Sequence, residues 1–106
     1  MNDENFKNGF ILLSRSVLQS EIWINKPAEW LKIFIYILLK VNHKDEFFPR
    51  GSNFFNFSES VPPGTNKNQC YNFLKWAKNP KIQILTTQKT TRGVIVKVNN
   101  YNDYQN

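Results

Sequence analysis

The residues with the most chemistry to offer are amides and bases, and they lie in the second half of the chain. Lys67, Asn68, Asn72 and Lys75 fall close together, and Lys89 and Arg92 follow in a threonine-rich stretch. Asn side chains can pair with adenine edges in a major groove, and Lys or Arg with guanine edges or phosphates. That chemistry is recognition of a polyanion, without bond making. The side chains that make or break bonds are sparse. His43 is the only histidine, at the end of a helical pattern, where a capping or structural role fits it. Cys70 is the only cysteine, which excludes an internal disulfide and a Cys-cluster metal site. Asp45-Glu46 reads as a solvated acidic turn, and Pro63-Gly64-Thr65 lacks the spacing of a phosphate-binding loop. The chain is therefore expected to be no enzyme, with no cofactor and no metal.

Charge placement points the same way. Residues 1–60 carry seven bases and seven acids, whereas residues 61–106 carry seven bases and one acid, Asp103. The whole net charge of +6 sits in the second part. Such asymmetry suits a polyanionic partner, and a plain solvated basic surface gives the same count. At 106 residues the chain fits one domain, 1–106, and 41% hydrophobic residues with 15% aromatics are enough to build its core. The start, Met1-Asn2-Asp3-Glu4-Asn5, is acidic and polar, unlike a secretory leader. The longest apolar run, 33–39, is too short to span a bilayer, which takes about 20 residues. No membrane association is expected.

The elements that must carry these residues follow from periodicity. Gly9-Phe10-Ile11-Leu12-Leu13 reads as a strand or extended run, and Ser14 or Ser16 caps a short helix ending near Trp23. Pro27 opens a second helix, apolar nearly all round over 30–41 and so expected to be central and buried. The stretch 45–63 reads as irregular, with five Phe either pinning it to the core or forming an exposed patch. Gly64-Thr65 supplies a turn and cap for a helix over 66–78. There Cys70, Phe73, Leu74 and Ala77 make an i, i+3, i+4, i+7 core stripe. Asn68, Asn72 and Lys75 lie opposite, with Gln69 and Trp76 on one flank. The β-branched runs 82–87 and 94–98 form a hairpin whose tip carries Lys89 and Arg92, and Tyr101 and Tyr104 fold the tail back.

Helix, turn, amide-rich helix and hairpin with a basic tip is the element order of a winged helix-turn-helix: mainly α, with a small antiparallel sheet (α+β). Three stretches carry a family resemblance: 9–23 (GFILLSRSVLQSEIW), 30–44 (WLKIFIYILLKVNHK) and 84–105 (ILTTQKTTRGVIVKVNNYNDYQ). Over nearly the whole chain, in the same order, the sequence resembles the N-terminal winged-helix domain of DnaD-like phage replisome organisers. The resemblance implies a DNA-binding protein of phage or mobile-element type, serving replication initiation or transcription regulation in the cytoplasm of a bacterial host. Its DNA contacts are expected at Lys67, Asn68, Asn72, Lys75, Lys89 and Arg92. Double-stranded DNA is the expected partner. The alternative is a winged helix that binds a host or phage protein, to inhibit or redirect it, for instance a nucleic-acid-binding defence complex. Self-association as a homodimer fits either reading. Two departures stand out. Where such domains carry a Leu-Ala-rich first helix, this chain has 54–63 with Pro62-Pro63, so that helix is expected to be short or absent. Relatives often continue into a second domain that contacts single-stranded DNA or helicase-loading proteins, and such activity is not expected of a chain ending at Asn106.

Overall fold

The computed structural model describes residues 9–105. Among them run three α-helices, α1 (Glu21–Ile24), α2 (Ala28–Lys40) and α3 (Lys67–Ala77), and three strands, β1 (Ser52–Phe55), β2 (Leu85–Lys89) and β3 (Val94–Val98). The fold is α+β, as its sequence implies. The acidic start of the chain, residues 1–5, lies outside the described residues.

Helix α2 starts directly after Pro27, whose fixed φ is ready for a first turn, and Trp30 N–H donates to the Pro27 carbonyl at 3.0 Å. Glu29 in the first turn and Lys40 in the last both complement the helix dipole. The buried side chains are Ile33, Phe34, Ile37 and Leu38, a single stripe. The all-round burial expected from the sequence does not hold, since Leu39 is 61% exposed. A domain of this size has one core, and α2 meets it on one side only.

The N-terminal helical pattern divides in two. Ser14 caps a 3-10 turn, Arg15–Gln19, by accepting from Ser16 N–H at 3.2 Å, and α1 follows after Ser20. The 9–13 run, expected to be a strand or extended, joins no sheet. Leu12 N–H donates instead to the Tyr104 carbonyl at 2.9 Å.

The sheet order is β1-β3-β2, with every neighbour antiparallel. Strand β3 is central: Phe55 faces Val94, Leu85 faces Val98 and Lys89 faces Val94 across the register. Val94, Val96 and Val98 point into the core, while Ile95 and Lys97 take the other face, the alternation their sequence shows. Strand β1 corrects the reading of 45–63 as wholly irregular. Ser52 is buried there although it pairs with Lys97 on the face away from the core; its hydroxyl donates to the Pro49 carbonyl at 2.6 Å, so the polar group is covered at no hydrogen-bonding loss.

Of the five Phe in 45–63, Phe55 and Phe57 enter the core, stacked at 5.6 Å, whereas Phe47 is 92% exposed. The loop before β1 is braced: Gly51 N–H donates to the Asn42 carbonyl at 2.6 Å, and Asn42 Nδ2 to the Phe48 carbonyl at 2.9 Å. Gly51 holds φ +82°, and a Cβ there would come within 2.9 Å of Tyr101 Cβ. Between β1 and α3 the chain makes turns but no helix. The tail ends on a 3-10 turn, Tyr101–Tyr104, with Tyr101 buried and Tyr104 edge-on to Phe34 at 5.8 Å.

Candidate nucleic-acid interface

Helix α3 is fixed by its buried stripe. Cys70, Phe73 and Ala77 are wholly buried and Leu74 nearly so, as their spacing requires. Asn66, and not Thr65, is the N-cap. Its Oδ1 accepts from Gln69 N–H at 2.9 Å, and Gln69 Oε1 accepts from Asn66 N–H at 2.9 Å. Thr65 turns the chain instead, donating through its hydroxyl to the Pro62 carbonyl at 2.7 Å. Gln69 is thereby committed to the cap. Trp76 packs 5.5 Å from Trp30, and Lys26 Nζ lies 5.8 Å and 5.4 Å from the two ring centroids. The outer face left to solvent carries Lys67, Asn68, Asn72 and Lys75, all exposed.

The hairpin folds beside it. Strand β2 begins at Leu85, three residues later than the sequence predicts, because Gln83 takes a left-handed φ of 54° and turns the chain after α3. The tip closes through Thr90 N–H to the Gly93 carbonyl at 2.9 Å and Gly93 N–H to Thr90 Oγ1 at 3.1 Å. Gly93 sits where a Cβ would strike the Phe55 carbonyl and lie 2.9 Å from Phe54 Cζ. Only a residue without a side chain lets the tip approach β1 so closely.

Between α3 and the hairpin lies an open groove of about 650 Å³. One wall is α3, with Lys67, Lys75 and Lys78; the other is the hairpin, with Lys89 and Arg92. Tyr71 and Leu74 of α3 and Val94 of the hairpin add apolar surface to the groove, and among the described residues no carboxylate lines it. Four of the six residues expected to touch DNA therefore meet in one concavity. Asn68 and Asn72 do not line it; they project from the outer face of α3. Lys78, the C-cap of α3, is not among the contacts expected from the sequence, which ends the helix at that residue. Its spacing of three from Lys75 is the signal that places it on the same wall.

The residues with catalytic potential stand elsewhere. His43 is exposed in the loop after α2. Asp45 Oδ1 accepts from Arg50 N–H at 2.9 Å, so the acidic turn holds its own loop. Burial pushes the Cys70 thiol above its usual range, against the smaller opposing effect of its contact with the Thr65 hydroxyl. It is a packed, poorly ionised thiol. Among the described residues no group of three His, Cys, Asp or Glu gathers where a metal could bind, and no helix is long and apolar enough to cross a membrane. Comparison of the chain with family models, curated proteins and solved structures gives no match.

Proposed function

We propose that this chain is a winged helix-turn-helix module that binds DNA without catalysis. The observation that carries this reading is the groove in which five cations on two walls face one another with no acid among the described residues that line it. The sheet order β1-β3-β2, with α3 between β1 and the β2–β3 hairpin, supports it, because it makes the hairpin a wing beside an exposed helix. Phosphates would lie between the walls, while Asn68 and Asn72 would face base edges from the outer side of α3. The missing helix before α3 takes away the element that crosses the DNA backbone in a full helix-turn-helix, so affinity rests on charge more than on base contacts. With the family resemblance of the sequence, the reading extends to replication initiation or transcription regulation for a phage or mobile element in a bacterial cytoplasm.

Anisotropy of labelled random duplex DNA tests it. Binding in the micromolar range at low salt, weakening steeply as salt rises, is expected. Asn72→Ala should weaken binding to a preferred site alone. Absence of binding at low salt would refute the reading. A second reading, docking onto a protein, is favoured by Phe47, an aromatic held out into solvent by a braced loop. It predicts that Phe47→Ser removes the activity while alanines at Lys89 and Arg92 leave it intact.

A further inference from the structure

The lining of the groove is poorly suited to phosphate alone. Phosphates on cationic rims need no apolar base beneath them, and a duplex, whose bases already stack on one another, offers none of its ring faces to cover one. Here Tyr71 stands in the row of α3 lysines, four residues from Lys67 and four from Lys75, and Leu74 and Val94 line the groove beside it. Leu74 and Val94 are buried, while Tyr71 is half-buried and opens on the groove. The Tyr71 ring is held in orientation: Phe57 packs against it at 5.7 Å with the two ring planes 89° apart, and Phe57 is itself anchored in the core. A fixed aromatic ring within a groove of basic side chains is the combination that binds unpaired strands, the cations following the backbone and the ring receiving a base. Hydroxyls of Thr87, Thr90 and Thr91 add neutral donors and acceptors on the hairpin wall. At about 650 Å³ the groove is also large enough for more than a phosphate, falling in the range that holds a small organic ligand.

We infer that the groove takes an unpaired polynucleotide strand, with one base stacked on Tyr71 and its flanking phosphates on Lys67, Lys75 and Lys78 on one side and Lys89 and Arg92 on the other. The inference rests on the reading that this face binds nucleic acid, and it names the form bound in the groove. Stacking tolerates any base, so little sequence preference is expected.

The test compares four labelled probes of equal length, about 16 nucleotides, the upper end of the site sizes seen for such grooves. They are oligo-dT, oligo-U, an abasic deoxyribose-phosphate strand and a random duplex. Oligo-dT should bind the native protein more tightly than the abasic strand, which carries the same charge without bases. Tyr71→Leu keeps apolar volume over Phe57 and removes the π face; it should weaken oligo-dT binding about 5- to 150-fold. Tyr71→Phe should restore it, and both variants should bind the duplex within about twofold of the native protein. Thermal melts of each variant establish that the fold is kept. The oligo-U arm shows whether the ribose hydroxyl is admitted: equal binding means that the site takes DNA and RNA alike, and loss of oligo-U alone restricts the proposal to DNA. Equal binding of the abasic strand and oligo-dT, or an unchanged affinity in Tyr71→Leu, overturns the inference. Duplex binding without any single-strand binding overturns it too and leaves the DNA-binding reading standing. Failure of all four probes at low salt removes both.

Discussion

Replacing both hairpin cations, Lys89→Ala with Arg92→Ala, separates charge-driven binding from every other kind. Five cations among the described residues line the groove. If each meets one phosphate, log Kd against log salt should change with a slope of about 4.5 in magnitude, since each duplex phosphate contact contributes about 0.9. Raising salt from about 50 to about 200 mM would then cost the native protein about 500-fold in affinity. With the hairpin wall neutralised, three cations remain, the slope falls to about 2.7, and the same change in salt costs only about 40-fold. The loss should be equal for every duplex sequence, because phosphates carry no sequence information. The assay is a salt titration of anisotropy on two unrelated duplexes. Lys81→Ala with Lys97→Ala, two exposed bases outside the groove, removes the same charge from the wrong place and should leave most of the slope. An unchanged affinity and slope in the hairpin variant would refute the wing as a DNA contact. Equal flattening in both double variants would show that net charge alone, and not the groove, is at work.

Other consequences concern the frame that holds the groove. Asn66→Ala removes the cap of α3 and should cost about 1 kcal/mol, visible as a fall in Tm of several degrees; an unchanged Tm would mean that the cap is replaceable. Ile37, wholly buried, should not tolerate Ile37→Asp, because an unpaired buried carboxylate costs several kcal/mol; loss of cooperative melting by circular dichroism is expected, and a native-like melt would mean that α2 is not central. Cys70 should label slowly with a thiol reagent in the native state and rapidly in denaturant, and fast native labelling would mean that α3 faces the other way. Burial raises Cys70, Tyr101 and Tyr104 above their ordinary values of 9.0, 10.0 and 10.0, so the unfolded chain loses these protons first. Stability from these groups is complete below about pH 9 and is lost as pH rises through their folded values. Tyr104→Phe should lessen that alkaline loss of Tm, and an identical pH profile would show that Tyr104 does not contribute.

Much of the site was legible because α3 and β3 obey simple periods. Cys70, Phe73, Leu74 and Ala77 repeat at helical spacing, and Val94, Val96 and Val98 alternate, so their buried faces follow from the sequence and the exposed faces follow by subtraction. Strand β1 was hidden. Its core face carries Asn53 and Phe55 and its other face Ser52 and Phe54, one polar and one apolar residue on each, so no apolar–polar alternation marks it. Its pairing with β3 is a long-range event that no local pattern reports. The exposure of Leu39 was equally hidden, since a helix with apolar residues all round does not reveal which side the neighbours cover. The groove depends on how the hairpin leans over α3, which is set by the turn at Gln83 and by the close approach of Gly93 to β1. Neither is visible in composition or period. The amides separated from the lysines for a related reason: helical spacing places Asn68 and Asn72 on the exposed face but does not say which edge of that face the hairpin borders.

The bond between Leu12 and Tyr104 has a consequence for what can be attached to this molecule. It brings the two ends of the described chain side by side, and none of the described residues lining the groove lies before Ser58 or after Val94. A short linker could join the ends into a circle, with new ends opened in the loop around Phe47. For the same reason the whole unit could be spliced into a surface turn of another protein, entering and leaving at one corner, with its basic groove intact.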